Sequence, residues 1–235
     1  MAQCSAPLSA LLARDKPITA ACVVVGAPSA FAAPAARKIL GEYLDRCFRQ
    51  LEQARSQIGK GGDKLIPVFL FSEDQRDHGK DLEAWRGQRF KARYLPLVRP
   101  FSAVPDLLQR VRDARKSIAI ASSAKRDELD KYLEIVNIAK LVDVTSSSED
   151  AEESKPAPDV FEIVLNKLGI SGRDAVAIGD TPYDAIAAGK ADILTIGVLC
   201  GGFTEDSLRQ AGCAEVYPGP AALFASFERC LLVRP

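Results

Sequence analysis

The chain lacks several features that mark common functional classes. Its 235 residues carry no net charge, so there is no electrostatic case for binding nucleic acid or an anionic membrane surface. No run of 18 or more apolar residues occurs, and no membrane-spanning segment is expected. Its one histidine, His78, lies in the polar run 72–80, where we expect a solvated loop. A single histidine cannot build a histidine-rich metal site.

Paired cysteines are absent as well. The six cysteines show no CxxC spacing and no regular interval. We expect them to be reduced and mostly buried, behaving as small hydrophobic side chains. With no sign of a membrane segment, this usage predicts a cytoplasmic protein without membrane or nucleic-acid partners.

Acidic residues are nearly missing from the start of the chain. The first 41 residues contain twelve alanines, four prolines and a single acid, Asp15, although Asp and Glu total 31 overall. No acid occurs between Lys16 and Gly41, and the composition becomes ordinary from Glu42 onward. We expect residues 1–18 to be poorly ordered.

What the chain does contain is an alternation of apolar runs and helical patterns. The runs typical of buried parallel strands are Ala20–Val25, Ile118–Ala121, Ala175–Ile178 and Leu194–Val198. Helices are predicted over Pro34–Arg55, Lys80–Arg93, Val104–Ala114, Arg126–Val136, Asp159–Leu168, Tyr183–Ala191 and Glu205–Gln210. This alternation predicts an α/β fold with one doubly wound parallel sheet. We expect residues 1–33 and 96–235 to form this core, with 34–95 as a helical cap inserted after the first strand.

Polar side chains follow the predicted strands at their carboxyl ends. Ser122 follows one strand, Asp180 and Asp184 follow another, and Lys155 ends a loop rich in Ser, Asp and Glu. Each alone is readily explained as a helix cap, a turn former or a solvated charge. Groups at the carboxyl ends of parallel strands meet at one sheet edge, so we expect a cluster with the Lys155 ammonium near Asp180. A hydroxyl and an ammonium suit phosphate oxygens, and paired carboxylates suit Mg²⁺.

Three segments carry a family resemblance. Ile118–Ala124, Ser154–Phe161 and Ala177–Asp184 resemble the second, third and fourth motifs of the haloacid dehalogenase superfamily, closest to its phosphoglycolate phosphatase and β-phosphoglucomutase branch. The resemblance extends from Arg55 to Phe227. It implies a Rossmann-like core with a cap, and Mg²⁺-dependent hydrolysis of a small phosphorylated metabolite.

The resemblance also implies residue roles. Ser122 would hydrogen-bond the phosphoryl group, and Lys155 would neutralise that group and the nucleophile. Asp180 would bind Mg²⁺ directly, with Asp184 as a further ligand or an orienting carboxylate. Lys60, in the Gly-rich turn of the cap (residues 57–62), is a candidate substrate contact as the cap closes.

The first motif of the family departs from its pattern here. That motif is a buried strand followed by Asp-x-Asp-Gly-Thr, whose first Asp attacks phosphorus and whose second protonates the leaving group. Aligning Gly26 with the glycine of this motif puts Val23 and Val25 at the two aspartate positions. Valine can neither attack phosphorus nor bind Mg²⁺. We therefore expect little activity from the chain as printed, with Mg²⁺ bound weakly or not at all.

Three explanations of this departure stay open. The chain could be a pseudophosphatase that binds a phosphorylated ligand or a partner without turnover. Residues 1–50 could instead be the product of a shifted reading frame or a wrong gene model, which the abrupt Ala- and Pro-rich composition favours. The third is a targeting peptide cleaved near Ala30-Phe31-Ala32, although cleavage there would delete the first strand of the sheet.

Overall fold

The computed structural model describes residues 11–12, 21–22, 55–69 and 72–233 of the chain. The strands are β1 (Leu11–Leu12), β2 (Ala21–Cys22), β3 (Ala119–Ala121), β4 (Val144–Ser146), β5 (Val176–Gly179), β6 (Leu194–Val198) and β7 (Cys213–Tyr217). The helices are α1 (Gly62–Leu65), α2 (Ser72–Arg93), α3 (Val104–Asp113), α4 (Arg126–Val136), α5 (Asp159–Leu168), α6 (Pro182–Lys190), α7 (Glu205–Gln210) and α8 (Pro220–Ala225).

The strands after residue 100 pair in parallel. β3 pairs with β4, and β6 lies between β5 and β7. Parallel neighbours require a crossover connection, and a helix supplies it each time: α4 between β3 and β4, α6 between β5 and β6, and α7 between β6 and β7. The parallel pairing and the crossovers confirm the predicted α/β class.

Helices cover both faces of these strands. Ile118 and Ile120 pack with residues of α3, α4 and α8, whereas Ala119 and Ala121 pack with residues of α5 and α6. All four side chains are fully buried. Burial on both faces explains why this segment is an unbroken apolar run and does not alternate with polar residues.

Several predicted boundaries agree with the structure to the residue, namely those of α4, α5, α7 and β6. Local stop and start signals explain the agreement. Asn137 after α4 and Gly169 after α5 adopt the left-handed conformation, at φ 59° and 67°, which ends a helix. The Thr204 hydroxyl accepts the Ser207 N–H at the start of α7.

The predicted loop around His78 is wrong. The backbone of His78 lies within α2, which begins at Ser72 and not at Lys80. The run 72–80 contains no proline and one glycine, so it holds no strong helix breaker. The far end of α2 is anchored by Phe90 in the main core cluster. The helix therefore continues through its polar half.

The first predicted strand, Ala20–Val25, is described only at Ala21–Cys22. These two residues pair antiparallel with Leu11–Leu12 and contact β3 and β5. The described pairing therefore differs from the parallel arrangement predicted for this segment, and the described ladders form three separate groups. Val23, Val25 and nearly all of the helix predicted over Pro34–Arg55 lie outside the described residues.

The segment predicted as a cap is helical where it is described. Residues 55–69 and 72–95 contain α1, α2 and short 3₁₀ turns, and the division into cap and core stays a prediction. No described helix is long and apolar enough to cross a membrane. Cys213 and Cys230 are buried free thiols and Cys200 is a half-buried one, as predicted for these three cysteines.

Candidate active site

A buried ion pair lies at the carboxyl edge of the strands. The Lys155 Nζ contacts Asp184 Oδ1 at 2.7 Å, and neither side chain is more than 3% exposed. The same Nζ donates to the Ala121 carbonyl at 3.1 Å, at the last residue of β3. An ammonium has three donors, and the third has no partner among the described residues. Lys155 thus joins the end of β3 to the first turn of the helix after β5 and keeps one donor available.

Asp184 is engaged through both of its oxygens. Its Oδ2 accepts the Thr181 N–H at 3.1 Å and the Thr181 hydroxyl at 2.8 Å, while Oδ1 accepts from Lys155. Thr181 also caps α6, since its hydroxyl accepts the Asp184 N–H. This reciprocal capping box fixes the first turn of the helix directly after β5. Of the two roles that the resemblance implies for Asp184, the contacts fit the orienting carboxylate.

Asp180 is fully buried at the end of β5. The carboxylate that the Lys155 ammonium contacts is that of Asp184, and the predicted proximity of Lys155 to Asp180 stays a prediction. Asp180 and Asp184 both lie near Cys200, since burial and then these two carboxylates raise the pKa of the Cys200 thiol. The two aspartates therefore occupy one region of the sheet edge.

Ser122 is buried at the end of β3, beside the same edge. Its N–H donates to the Ser146 carbonyl at 3.0 Å, which continues the pairing with β4. Its hydroxyl oxygen accepts the Ala124 N–H at 3.0 Å and so shapes the turn into α4. The hydroxyl proton has no acceptor within the described chain. The turn-forming role and a contact with an anion are compatible, because one uses the lone pair and the other uses the proton.

Hard-cation binding at this edge would depend mainly on Asp180. Both Asp184 oxygens are already hydrogen-bonded. Within the described residues, no group of three or more acidic, histidine or cysteine side chains could hold a metal. Mg²⁺ is often held by one or two carboxylates, with water and substrate phosphate completing its shell. The residues present would fit an Mg²⁺ ion for which Asp180 supplied one of few protein ligands.

The Gly-rich turn lies directly against this edge. Gly59 has φ +110°, and a Cβ there would lie 2.7 Å from Thr181 Cγ2. A Cβ on Gly61 would lie 2.0 Å from Ser154 Oγ, beside Lys155 in the chain. The close approach thus requires glycine at both positions.

Lys60 lies at the same junction. Its Nζ donates to Gln57 and lies 4.9 Å from the centre of the Tyr183 ring. Tyr183 in turn donates its hydroxyl to the Ser56 carbonyl. The structure therefore places Lys60 next to the first turn of α6, where it contacts an aromatic face of the core.

A cleft opens beside the chain neighbours of Ser122 and Lys155, and those two residues are not in its lining. Its volume is about 450 Å³, and it lies between α2 and the loops after β3 and β4. Ser123 and Ser154, the chain neighbours of Ser122 and Lys155, are among its lining residues, as are Arg86 and Lys125. Lys60 is not. Sequence reasoning missed this cleft, although Ser123 lies within the second motif and Lys125 follows it directly. No sequence signal marks Arg86, which lies on a polar helix.

Cys200 is a described thiol close enough to the two aspartates to be affected by their charges. Burial raises the pKa of its thiol well above the usual range, and the Asp180 and Asp184 carboxylates raise it further. A neutral thiol is a weak nucleophile. The structure therefore gives no support to Cys200 as a substitute for a missing aspartate.

The chain is similar to known proteins in sequence and in fold. Residues 35–198 match the model of the haloacid dehalogenase-like hydrolase family. A candidate pyrophosphatase PpaX of Caldanaerobacter subterraneus subsp. tengcongensis is 30% identical over 147 residues, covering 59% of this chain and 66% of the relative. A validoxylamine A 7'-phosphate phosphatase of Streptomyces hygroscopicus subsp. limoneus is 23% identical over 104 residues, covering 44% of this chain and 49% of that protein.

Solved structures share the fold. A hydrolase from Pseudomonas syringae superposes with a TM-score of 0.72 at 21% identity, covering 84% of this chain and 91% of that one. At this identity the likeness shows the fold, and it confirms the predicted Rossmann-like α/β class. The chain spans about half to two thirds of the length of the first curated relatives that it matches.

Proposed function

Because the chain belongs to the haloacid dehalogenase-like hydrolase family, we propose that it is a phosphatase by descent whose site binds a small phosphomonoester together with Mg²⁺. The observation that carries the proposal is the fully buried Lys155 ammonium, held by Asp184 at 2.7 Å with a donor to spare. A buried cation at a sheet edge, beside a serine hydroxyl, suits a phosphoryl group.

Each residue then has a role set by its contacts. Lys155 and the Ser122 hydroxyl donate to phosphoryl oxygens, and Asp184 positions the ammonium through the ion pair. Asp180 holds Mg²⁺, which when bound supplies charge neutralisation at the phosphoryl group. The cap, 34–95, covers the substrate, and Lys60 contacts it only if the turn shifts away from Tyr183. The names of the two relatives above are consistent with phosphorylated substrates of different size.

Turnover by the chain as printed should be small. The proposal keeps Val23 and Val25 at the positions of the two aspartates, and the family match begins after them, at residue 35. An enzyme lowers the barrier by roughly 8–23 kcal/mol, and loss of the nucleophile removes a large share of it. The alternative is a pseudophosphatase that binds a phosphorylated ligand or a partner. The retained Lys155–Asp184 pair and the absent aspartates favour that alternative over an intact enzyme.

The test compares four chains with p-nitrophenyl phosphate as substrate, with and without Mg²⁺. We expect the printed chain to be no faster than its Asp180→Ala variant, because the missing nucleophile already limits the reaction. The Val23→Asp/Val25→Asp variant should gain Mg²⁺-dependent activity. Adding Asp180→Ala to this double variant should remove the gain.

The outcomes separate the two parts of the proposal. Robust activity of the printed chain, abolished by Asp180→Ala, would support the phosphatase function and contradict the expected low turnover. If Asp180→Ala leaves a restored activity intact, Asp180 has no part in holding the metal. Pro28 fixes its own φ and restricts Ala27, so a failure of Val23→Asp/Val25→Asp to gain activity does not by itself overturn the proposal. Calorimetric titration with inorganic phosphate and Mg²⁺ should therefore accompany the assay. Absence of phosphate binding would overturn the proposed site itself.

A further inference from the structure

The side chains of the proposed phosphate site are closed off from solvent in this structure. Lys155 and Asp180 are fully buried, and the exposed fractions of Ser122 and Asp184 are only 1% and 2%. The lining of the cleft described above includes none of these four residues. Part of the protein therefore has to move before an anion can contact the Lys155 ammonium.

The Gly-rich turn packs on the segment that carries Asp184. Gly59 lies so close to Thr181 that a Cβ on Gly59 would overlap the Thr181 side chain. The Thr181 hydroxyl donates to Asp184 Oδ2 at 2.8 Å, and Asp184 Oδ1 accepts from the Lys155 ammonium at 2.7 Å. A continuous series of contacts thus leads from the turn to the buried ion pair.

The same turn packs on the segment that carries Lys155. A Cβ on Gly61 would overlap the side chain of Ser154, the residue before Lys155. Asp63, directly after the turn, accepts the Ser154 N–H through its Oδ2 at 3.3 Å. The turn therefore spans both segments that hold the ion pair, and it is the described element whose displacement would uncover them.

Two side-chain hydrogen bonds fasten the residues before the turn to the core. Tyr183, in the first turn of α6, donates its hydroxyl to the Ser56 carbonyl. The Arg55 guanidinium donates to the Gly202 carbonyl at 2.6 Å. Burial raises the pKa of Tyr183, so its hydroxyl keeps the proton that it donates at neutral pH. Both acceptors are backbone carbonyls, so each bond depends on a single side chain.

We propose that Tyr183 and Arg55 form a latch that keeps the Gly-rich turn closed over the Lys155 site, and that phosphate reaches Lys155 only when this latch opens. Closure therefore competes with phosphate binding, and the affinity that is measured equals the intrinsic affinity multiplied by the open fraction. Opening also frees Lys60 from the Tyr183 ring. The inference rests on the proposed phosphate site and adds to it an inhibitory role for two residues outside that site.

Hydrogen exchange at the Ser154 amide, followed by NMR, measures opening of the turn without any ligand, because the amide is bonded to Asp63 across the closed junction. The variant Arg55→Met/Tyr183→Phe removes both latch donors and keeps the apolar stem and the ring. Each hydrogen bond changes an equilibrium constant by roughly two- to ten-fold, so we expect exchange to be about ten-fold faster in the double variant. Tyr183→Phe alone should give an intermediate increase of about three-fold.

Arg209→Met/Tyr217→Phe is the matched control, because it makes the same two chemical changes away from the turn. Arg209 pairs with Glu205 within α7, and the Tyr217 hydroxyl donates to Glu215 within β7. This control should leave both the Ser154 exchange rate and the affinity for phosphate as they are in the parent. It separates release of the latch from the general effect of losing an arginine and a hydroxyl.

Calorimetric titration with inorganic phosphate and Mg²⁺ tests whether opening and binding are linked. Arg55→Met/Tyr183→Phe should bind phosphate more tightly than the parent by the same factor as its gain in exchange, about ten-fold, as long as the open fraction stays small. A turn that serves only the fold would leave the affinity unchanged. A turn that closes over bound phosphate and helps to hold it would make the affinity of the variant weaker.

The possible failures are distinguishable. Unchanged or weaker phosphate binding by Arg55→Met/Tyr183→Phe would overturn the inference and leave the phosphate site in place. Exchange at Ser154 that is no faster than in the parent would also overturn it, because the two bonds would then not hold the turn. If neither chain binds phosphate although Ser154 exchange is faster in the variant, the proposed function falls, and the inference falls with it.

Discussion

At the scale of single residues, the Lys155–Asp184 pair has the largest energetic consequence. Both side chains are almost fully buried and lie 2.7 Å apart. Two desolvated charges stabilise each other only as a pair, and removal of one leaves the other buried without compensation. The pair therefore matters for folding whatever its role in binding.

We expect Lys155→Met to lower the free energy of unfolding by about 3–5 kcal/mol. The double variant Lys155→Met/Asp184→Asn should cost less than the sum of the two single changes, because no charge is left unpaired. Urea denaturation of the four chains measures this coupling. Lys131→Met, which breaks an exposed pair with Glu134, should change the value by less than about 1 kcal/mol. Additive effects of the first two changes would contradict a coupled pair.

At the scale of elements, the Gly-rich turn packs closely against the start of α6. Gly59 adopts φ +110° and faces Thr181, and Gly61 faces Ser154. Thr181 is itself fixed by the capping box with Asp184. Movement of the turn is therefore linked to the helix whose first turn carries Asp184, the partner of Lys155.

Replacement of Gly59 by Ala should displace this turn. The added Cβ would need a left-handed backbone and would approach Thr181 to 2.7 Å, so we expect a loss of about 1–3 kcal/mol of stability. Faster limited proteolysis within 55–69 should accompany it. Gly189→Ala is the control: Gly189 lies in α6 with no heavy atom within 4 Å of its Cβ position. It should stabilise the protein by about 0.5–1 kcal/mol. Equal effects of the two changes would mean that the turn is not held there.

The elements also show what the sequence could predict and what it could not. Helix α5 was predictable to the residue because Gly169 stops it, and β6 because it is an apolar run. Strand β4 was missed because Val144-Thr145-Ser146 has a single aliphatic residue, and its place follows from pairing with β3. Strand β7 was missed because it lies at the edge of its ladder and is only half-buried. Such strands are specified by partners and not by their own pattern.

The sequence places four candidate site residues at strand ends, and their roles stay a prediction; it does not indicate which carboxylate contacts the lysine. Strand ends identify Ser122, Lys155, Asp180 and Asp184 from the sequence alone. Which aspartate meets the lysine depends on the rotation of α6, and the capping box at Thr181 sets that rotation. The cleft was beyond reach for a related reason: α2 and the loop after β4 are far apart in sequence, and only the tertiary packing joins them.

At the scale of the whole molecule, stability should depend on pH through Lys116. This side chain is only 3% exposed, and burial lowers its pKa to about 8, with a partly opposing contribution from Cys230. The unfolded value is about 10.5. Below pH 8 the lysine is charged in both states, so the burial penalty is present in full. Between pH 8 and 10.5 the folded protein has lost the proton and the unfolded chain has not, so this contribution to stability rises with pH.

Lys116→Met should therefore stabilise the protein by about 1–3 kcal/mol at pH 7. The gain should shrink as the pH rises from 8 toward 10.5. Denaturation of both chains at pH 7 and pH 10 measures how the difference in their free energies of unfolding changes with pH. Burial raises the pKa of Cys213 to about 12, which gives stability the opposite pH trend. This trend is the same in both chains and cancels in their difference. A gain that is the same at both pH values would mean that folding does not lower the pKa of Lys116.

The double engagement of Asp184 has an evolutionary consequence. Its oxygens bind Lys155 on one side and Thr181 on the other, so one carboxylate ties together the loop before α5, the end of β3 and the start of α6. Natural selection for folding alone would retain these residues, since a lineage that lost catalysis would still unfold more readily without them. The presence of Lys155, Asp184 and Thr181 together is therefore explained by descent and by folding, without any need for catalysis. Present catalytic activity has to be judged from residues that do not contribute to folding.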